Sequence, residues 1–273
     1  MSYRFEPGRI YRMPTHFGPA PGPRQLPAGI VPDRTRSPHR LSVAASFLTD
    51  GAVLQRHLPE GFSLAGDPVV TVEFHYMTEI DWLAGRGYTM IHVSWPARFE
   101  GARDRATGRF LAVVWESLAD PIITGRDEIG HPKLYADVEA PQESEGVHIC
   151  TAGWMGFRFL ELSVTDLRAA PIAQTTASSD GTLMLKYVPR TGAWGEHDVC
   201  QVTLTPAEDP NNVVQSRQLG QGAVKFHRAA WGDLPTMYHI VNALAALPVI
   251  EARGGRVQHS RGGKPYLDQK LLL

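Results

Sequence analysis

The chain has 273 residues, of which 43% are hydrophobic and 20% are charged, and its formal net charge is −1. This balance is typical of a globular protein and gives no electrostatic reason to expect nucleic acid or an anionic membrane as a partner. No apolar run approaches the length of a membrane span, and residues 1–14 carry charged side chains at four positions, so they lack the apolar core of a signal peptide.

Cys150 and Cys200 are the two cysteines of the chain. Two thiols in a chain of this length are more often reduced residues of a cytoplasmic protein than a disulfide. The sequence has no CxxC motif and no pair of histidines spaced three or four residues apart. It therefore predicts a cytoplasmic protein that uses no metal and no other cofactor.

Seven prolines and several glycines occupy residues 1–37. This density of Pro and Gly favours turns and extended chain over regular elements. We expect residues 1–37 to form an extended arm, which in an oligomer could wrap a neighbouring subunit. Residues 38–273 are predicted to form a single domain.

Residues 69–77 (VVTVEFHYM) are rich in the β-branched and aromatic residues that strands prefer. Alternation places Glu73 on one face of this strand and Val70, Val72 and Phe74 on the other, so Glu73 points away from the more apolar side. Similar runs, most of them separated by turn residues, favour a mainly β fold built as a meandering antiparallel sheet or barrel. The other predicted strands cover residues 41–47, 88–95, 110–115, 147–152, 154–164, 182–188, 199–204, 213–217, 223–229 and 249–257.

Short helices are predicted at three places. Asp50 can cap a helix that Pro59 ends, and Asp233 can cap a helix over residues 233–245. The third helix covers residues 120–129, with Asp120 as its N-cap and Pro121 at its first helical position.

Lys133 emerges just past the end of this third helix. Gly130 stops the helix and Pro132 forbids its continuation, so Lys133 enters the apolar run of residues 134–136. A lysine in an apolar setting loses solvation of its charged form, its pKa falls, and the neutral amine can attack a carbonyl carbon. The alternative is an ordinary lysine whose stem packs on the surface while its ammonium stays in water.

The residues around Lys133 resemble a family signature. Gly125-Arg126 followed by Pro132-Lys133 is similar to the "GRE…G-(aromatic)-P-K-K-L" signature of the acetoacetate decarboxylase family, a known case of lysine activation by burial or by a neighbouring cation. The resemblance implies that Lys133 forms a Schiff base. The second lysine of the signature is Leu134 here, so burial alone is expected to lower the pKa of Lys133.

Shorter matches extend the resemblance over residues 40–257. They are Met184-Leu185-Lys186 with Pro189, Met155-Gly156-Phe157 and Leu247-Pro248-Val249. Membership of this family would imply an antiparallel barrel or cone-like double sheet with a few short helices. It would also imply a small oxo acid as substrate and a homo-oligomeric assembly.

The resemblance also suggests further site residues. The family's strand arginine falls on Arg40, whose guanidinium would bind the substrate carboxylate, and its strand glutamate falls on Glu73. The second active-site glutamate of the family falls on Tyr88 or on Arg86, depending on the direction of alignment, and neither is a carboxylate. Surface or packing roles for Arg40 and Glu73 are the alternatives.

A phenol in place of a carboxylic acid can protonate or deprotonate an enamine or an aldol hydroxyl. This resembles a branch of the superfamily, the aldolase-dehydratases, which condense pyruvate with an aldehyde through the same lysine and use pocket tyrosines. Tyr266 is the candidate for a second tyrosine. With Tyr88 and Leu134, the sequence therefore favours aldol condensation and dehydration; genuine acetoacetate decarboxylation and non-catalytic oxo-acid binding are the alternatives.

Overall fold

The computed structural model describes residues 2–172 and 179–273, and within these ranges the chain is mainly β. The helical elements are short 3-10 turns at Thr15–Phe17 and Asp81–Leu83, α1 (Gly51–Gln55), α2 (Ala119–Thr124) with a π-helical continuation over Gly125–Ile129, and α3 (Tyr238–Ala245). The strands are β1 (His39–Leu48), β2 (Phe62–Leu64), β3 (Val69–Ile80), β4 (Arg86–Glu100), β5 (Arg105–Glu116), β6 (Lys133–Tyr135), β7 (Asp137–Val138), β8 (Gln142–Ser144), β9 (Val147–Trp154), β10 (Phe157–Ala169), β11 (Gly181–Pro189), β12 (His197–Pro206), β13 (Val213–Phe226), β14 (Glu251–Arg261) and β15 (Lys270–Leu272).

These strands join in one continuous sheet. Its order is β15-β12-β11-β5-β4-β3-β1-β14-β13-β10-β9-β7, with β2 paired to β4, β6 to β5 and β8 to β9. In the described residues the pairings are antiparallel except those of β5 with β6 and with β11. The predicted mainly β, largely antiparallel fold with a few short helices is confirmed.

The two faces of β3 differ as predicted. Val70, Val72 and Phe74 are fully buried in the hydrophobic core, whereas Glu73 lines a polar cavity on the opposite face. The same core cluster includes residues of β9, β10 and α3, namely Cys150, Ala152, Phe159, Leu160, Leu162, Val241 and Leu244. One face of the sheet is therefore closed by apolar packing, and the other is available for polar side chains.

Strand register aligns the polar face in rows. Ser42 of β1 pairs with His75 of β3, His75 with Met90 of β4, and Met90 with Glu116 of β5. Directly opposed residues in antiparallel strands point to the same face, so each row projects into the same space. The neighbouring rows are Arg40-Met77-Tyr88 and Ala44-Glu73-His92-Val114.

The sheet curves around the space into which these rows project. Thr182 of β11 and Arg256 of β14 line one cavity, although β5, β4, β3 and β1 lie between their strands in the sheet order. Two strands so far apart in a sheet can face the same cavity only if the sheet bends towards itself, as in a barrel or cone. The curvature therefore encloses the polar face.

The helix before Lys133 begins earlier than predicted. Asp50 does cap α1, because its carboxylate accepts a hydrogen bond from Val53 N at 2.9 Å. The predicted cap at Asp120 is wrong: the N-cap is Leu118, and Asp120 lies in the first turn of α2 without a capping hydrogen bond. A carboxylate in the first turn still favours the helix through its dipole.

The C-terminal third differs from the sequence prediction in three places. Asp233 accepts a hydrogen bond from Ala230 N at 2.7 Å in a preceding turn, so α3 begins only at Tyr238. The strands predicted over residues 213–217 and 223–229 form the single strand β13, and Lys270–Leu272 forms a strand, paired with β12, that was not predicted. None of the helices in the described ranges is long and apolar enough to cross a membrane.

The N-terminal arm packs on the domain of its own chain. Arg12 and Arg24 both form ion pairs with Glu128, and Arg24 also donates to the Thr124 carbonyl at 3.0 Å. These contacts hold the arm against α2 and its π-helical continuation. Wrapping of a neighbouring subunit stays a prediction.

Glu73 is held between two arginines on the polar face. Its carboxylate is 4% exposed and pairs with Arg109 at 2.8 Å and with Arg256. Burial by itself would raise the pKa of the Glu73 carboxyl, but the two guanidinium groups outweigh burial and hold that pKa well below its usual range. The ionised carboxylate therefore ties β3 to β5 and β14.

We predict that Glu73→Gln lowers the free energy of unfolding by roughly 2 kcal/mol at pH 7, because both arginines lose a charged partner but keep solvent contact. A carboxyl whose pKa is depressed by folding contributes stability above its unfolded pKa of about 4.3, and this contribution is lost as the pH falls further. The difference between variant and wild type should therefore shrink in acid. Urea unfolding across this pH range measures it.

Glu60→Gln is the matched control, since Glu60 is an exposed carboxylate and its replacement should leave the curve unchanged. A Glu73→Gln variant as stable as the wild type at pH 7 would contradict the assigned role of the carboxylate.

Candidate active site

Lys133 is positioned by the turn that joins the π-helical segment to β6. Gly130 adopts φ 79°, which reverses the chain, and Pro132 precedes the lysine. β6 then runs parallel to β5, with Lys133 opposite Val114, and Arg126 donates to the Lys133 carbonyl at 2.9 Å. The backbone of Lys133 is thus held from both sides.

The Lys133 amine is buried beside a carboxylate that the sequence analysis missed. Lys133 is 6% exposed and Glu116 is fully buried. Nζ lies 2.8 Å from Glu116 Oε1 and donates a hydrogen bond to the Pro121 carbonyl at 3.0 Å. Glu116 is the last residue of β5, one position beyond the predicted strand, and its contact with Lys133 depends on the parallel pairing of β5 with β6.

Burial moves the two pKa values towards each other. It lowers the pKa of the Lys133 ammonium, although the carboxylate of Glu116 acts in the opposite direction. It raises the pKa of the Glu116 carboxyl, and Lys133 opposes that shift. Because both charged forms are disfavoured by burial, transfer of the proton from Nζ to the carboxylate costs far less here than in water.

Gly125 provides the space for the Lys133 side chain. A Cβ at this position would lie 2.5 Å from Cε and 2.6 Å from Cδ and Nζ of Lys133. Such distances are shorter than van der Waals contact, so any side chain at position 125 would displace the amine. The glycine of the Gly125-Arg126 motif is thus explained by the position of the lysine.

A cavity of about 100 Å³ opens next to the amine, and we call it the amine cavity. Lys133, Tyr88, Arg40 and Tyr266 all line it, so the structure brings these four predicted site residues together. Arg86, the alternative to Tyr88, is at the exposed start of β4 and donates to a nearby backbone carbonyl. Glu73 does not line the amine cavity.

The two tyrosines of the amine cavity are neutral phenols. Burial raises the pKa of Tyr88 well above its ordinary value, and the nearby Glu116 adds to the shift. Burial also raises the pKa of Tyr266. A phenol whose pKa is raised keeps its proton at neutral pH and is a weaker acid, so both groups can donate hydrogen bonds and can protonate a strongly basic oxygen such as an alkoxide.

The N-terminal arm contributes two arginines that the sequence analysis did not select. Arg24 and Arg34 line the amine cavity together with Arg40. Arg24 is already paired with Glu128 and Arg34 donates to the Pro23 carbonyl at 3.0 Å, whereas the Arg40 side chain makes neither an ion pair nor a hydrogen bond with any described residue. Arg40 is therefore the guanidinium best able to bind an anionic group. Arginines within a Pro-rich segment carry no pattern that would have identified their place.

A second cavity of about 280 Å³ lies beside the amine cavity on the polar face of the sheet, and we call it the inner chamber. It contains Glu73 with Arg109 and Arg256, and it shares with the amine cavity the side chains of Arg40, Met90, His92, His131 and Tyr266. The two spaces are therefore adjacent. Glu73 belongs to the site only through the inner chamber.

Three histidines of the inner chamber are neutral. Burial lowers the pKa of His75 to about 3 and lowers those of His92 and His131 well below their ordinary values. His75 Nδ1 lies 2.8 Å from Ser42 Oγ. Residues 2–172 and 179–273 contain no group of three or more His, Cys, Asp or Glu side chains arranged to hold a metal ion.

We predict that Gly125→Ala lowers the rate at which Lys133 is trapped by an oxo acid and borohydride by about 100-fold, because the amine is displaced. The clash involves the flexible end of a lysine, so the melting temperature should change little. Mass spectrometry of the trapped adduct and a thermal melt measure the two effects. Gly232→Ala, where a Cβ meets nothing within 4 Å, is the control. An undiminished trapping rate in Gly125→Ala would show that the amine does not need this space.

Comparison with known proteins agrees with the fold. Residues 12–261 match the sequence profile of the family described as acetoacetate decarboxylase (ADC). No curated protein sequence matches the chain significantly. The family match begins at residue 12, inside the N-terminal arm. The resemblance read from the sequence covered residues 40–257, so the family match extends further towards the N-terminus.

Solved structures of similar fold include three relatives with low sequence identity. An acetoacetate decarboxylase has 17% identity and a TM-score of 0.68, covering 87% of this chain and 90% of its own. The acetoacetate decarboxylase of Legionella pneumophila has 20% identity and a TM-score of 0.66, with 93% and 92% coverage. The enduracididine biosynthesis enzyme MppR, complexed with the condensation product of pyruvate and imidazole 4-carboxaldehyde, has 16% identity and a TM-score of 0.61, with 89% and 91% coverage.

At these identities the structures show the fold, and the sequence match over most of the chain shows that the protein belongs to the acetoacetate decarboxylase family.

Proposed function

We propose that the protein is a carbon–carbon lyase in which Lys133 forms a Schiff base with a small oxo acid, and that it condenses pyruvate with an aldehyde and dehydrates the product. The observation that carries this proposal is a buried amine in a cavity, 2.8 Å from a buried carboxylate. A purely structural role rarely requires a lysine in such a place. Burial of an ammonium and a carboxylate costs free energy unless the carboxylate takes the proton of the ammonium.

Glu116 is the proposed acceptor of the amine proton. When an oxo acid enters the amine cavity, Glu116 takes a proton from Nζ, and the neutral amine attacks the carbonyl carbon. The resulting carbinolamine loses its hydroxyl as water and becomes a protonated imine. Glu116, which carries the proton taken from Nζ, can return it to the departing hydroxyl. Tyr88 or Tyr266 can donate a hydrogen bond to that hydroxyl, because both phenols keep their protons.

Arg40 is the proposed binding residue for the substrate carboxylate. It lines both the amine cavity and the inner chamber and has no ion pair with the described residues. A guanidinium binds a carboxylate through two parallel hydrogen bonds, which would fix the carbonyl carbon relative to Nζ. In this proposal, Arg40 holds the carboxylate of the substrate while Lys133 reacts with its carbonyl carbon.

The protonated imine can drive either reaction of the superfamily. In condensation, loss of a proton from carbon 3 of the pyruvate imine gives an enamine, which attacks the aldehyde carbon; a phenol protonates the new alkoxide, and the hydroxyl later leaves as water. In decarboxylation, the bond to the substrate carboxylate breaks, carbon dioxide leaves, and the enamine takes up a proton. Hydrolysis of the imine returns Lys133 in both cases.

Two features favour condensation. The cavity offers neutral phenols at Tyr88 and Tyr266, which suit protonation of an alkoxide, and the lysine that follows the nucleophile in the family signature is Leu134 here. MppR, a relative of similar fold, has been described in complexes with pyruvate and with its condensation product. Decarboxylation is the second candidate, because the family and two of the relatives of similar fold are described as acetoacetate decarboxylases.

Borohydride trapping tests the Schiff base. With pyruvate or acetoacetate, the wild type should gain one reduced adduct on Lys133, detected by mass spectrometry, and Lys133→Ala should gain none. Lys225→Ala is the control, since Lys225 is exposed on β13 and should have no effect. Absence of an adduct with every oxo acid would contradict the enzymatic proposal and leave a non-catalytic binding protein.

The two reactions give different products from the same enzyme. A condensing enzyme leaves acetoacetate intact and forms an absorbing enone from pyruvate and an aldehyde. Release of carbon dioxide from acetoacetate at a higher rate than enone formation would instead identify a decarboxylase.

We predict that Glu116→Gln lowers the maximal rate of imine formation about 100-fold, because the proton acceptor is lost. It should also shift the pH dependence. The Glu116 carboxylate favours the ammonium form of Lys133, so its removal lowers the pKa of the lysine further, and the rise of the rate with pH should move to lower pH. Trapping rates across pH measure both effects.

Asp120→Asn, which removes an exposed carboxylate of α2, is the control and should change neither the maximal rate nor its pH dependence. A shift of the Glu116→Gln profile to higher pH would contradict the assignment of Glu116.

A further inference from the structure

We propose that the inner chamber binds a second carboxylate of the substrate, so that the preferred partner of Lys133 is a 2-oxo dicarboxylic acid. This inference rests on the Schiff-base function proposed above and extends it to the class of the oxo acid. It is carried by the position, the charge, the unpaired donors and the size of the chamber.

The inner chamber lies next to the reacting amine. Arg40, His92, His131 and Tyr266 have side chains that face both the chamber and the amine cavity. A carbon chain that begins at a carbonyl bound to Lys133 can therefore continue between these side chains into the chamber. A substrate with a short tail would occupy both spaces at once.

The chamber carries net positive charge. Its charged lining consists of the guanidinium groups of Arg40, Arg109 and Arg256 and the carboxylate of Glu73. With Arg40 assigned to the carboxylate next to the carbonyl group, Arg109, Arg256 and Glu73 leave one positive charge in excess for a second carboxylate. The three histidines add none, because burial keeps them neutral. A cavity with this balance attracts an anion.

Glu73 orders two of the arginines without saturating them. A guanidinium has five N–H donors, and Glu73 accepts one hydrogen bond from Arg109 and one from Arg256. The carboxylate thereby fixes both groups at the chamber wall while most of their donors stay free.

Several buried polar atoms of the chamber lack a hydrogen-bond partner within the described protein. They include Nε of Arg256, Nε2 of His92 and the two ring nitrogens of His131, of which one carries a proton in the neutral imidazole. Buried polar groups are nearly always hydrogen-bonded in native proteins, so a cluster of unpaired ones calls for an explanation. A bound carboxylate accepts about four hydrogen bonds and would satisfy such donors.

The volume suits a short ligand chain. The chamber has about 280 Å³. This space holds a carboxylate on a chain of a few carbon atoms. Together with the neighbouring amine cavity, it suits a linear oxo acid with a carboxylate at each end.

Saturation of the borohydride trapping reaction tests the proposal on the wild-type protein. 2-Oxoglutarate and 2-oxopentanoate have the same chain length and differ in the terminal carboxylate. The half-saturating concentration should be at least about tenfold lower for 2-oxoglutarate, as expected for a charge-assisted hydrogen bond. Equal values, or a lower value for 2-oxopentanoate, would overturn the proposal.

Arg109→Gln locates the effect. The Arg109 side chain is half exposed and Arg256 still pairs with Glu73, so the variant is expected to fold. The preference for 2-oxoglutarate should fall at least fivefold, while Arg98→Gln, an exposed arginine of the neighbouring strand β4, should keep it. Arg109→Lys retains the positive charge and should restore part of the preference, and it replaces Arg109→Gln if that variant does not fold. An unchanged preference in the charge-removing variant would overturn the proposal.

Failure of this proposal is separable from failure of the proposed function. Glutarate has two carboxylates but no ketone group, so it can occupy the chamber without forming an imine. If no oxo acid is trapped on Lys133, the Schiff-base function fails. Stabilisation of the protein against heat by glutarate but not by butyrate would then still support the anion site, and equal effects of the two acids would reject it.

Discussion

The contact between Lys133 and Glu116 is the constraint on which the site depends. The ammonium of an exposed lysine has a pKa of about 10.4. At pH 7, which is more than three units lower, removal of its proton costs about 4–5 kcal/mol. Burial disfavours the ammonium and the carboxylate together, so the proton can move between two groups 2.8 Å apart at a much smaller cost. The geometry that maintains this contact is made by the glycine at position 125, the turn at Gly130 and the parallel pairing of β6 with β5.

The curved sheet separates two environments on the two faces of the same strands. One face buries Val70, Val72 and Phe74 in the hydrophobic core, and the other directs polar rows into the amine cavity and the inner chamber. Arg24 and Arg34 of the N-terminal arm line the amine cavity. The ion pairs of the arm converge on Glu128, next to the turn that carries Lys133, so the arm contributes to the lining of the candidate site.

Local patterns of the sequence were sufficient for several parts of this arrangement. Alternation in residues 69–77 predicted the face on which Glu73 lies, and the Gly130 and Pro132 signals predicted where the helix ends before Lys133. The resemblance around Lys133 predicted the family that the sequence match then showed. The cap at Asp120 was predicted wrongly. α2 begins at Ala119, just after β5 ends at Glu116, and the preference of single residues for cap positions does not show where the strand ends.

By itself, the sequence determined the mainly β fold, the end of the helix before Lys133 and the polar face of β3, because periodicity and turn chemistry act over a few neighbouring residues. Only the tertiary structure decided that Glu116 contacts the amine, that Arg24 and Arg34 reach the cavity from the arm, and that Glu73 lies in the adjacent chamber between Arg109 and Arg256. Those contacts join residues from 17 positions apart to more than 180, and they form only when the sheet has curved and its strands have paired in register, a condition that no local pattern encodes.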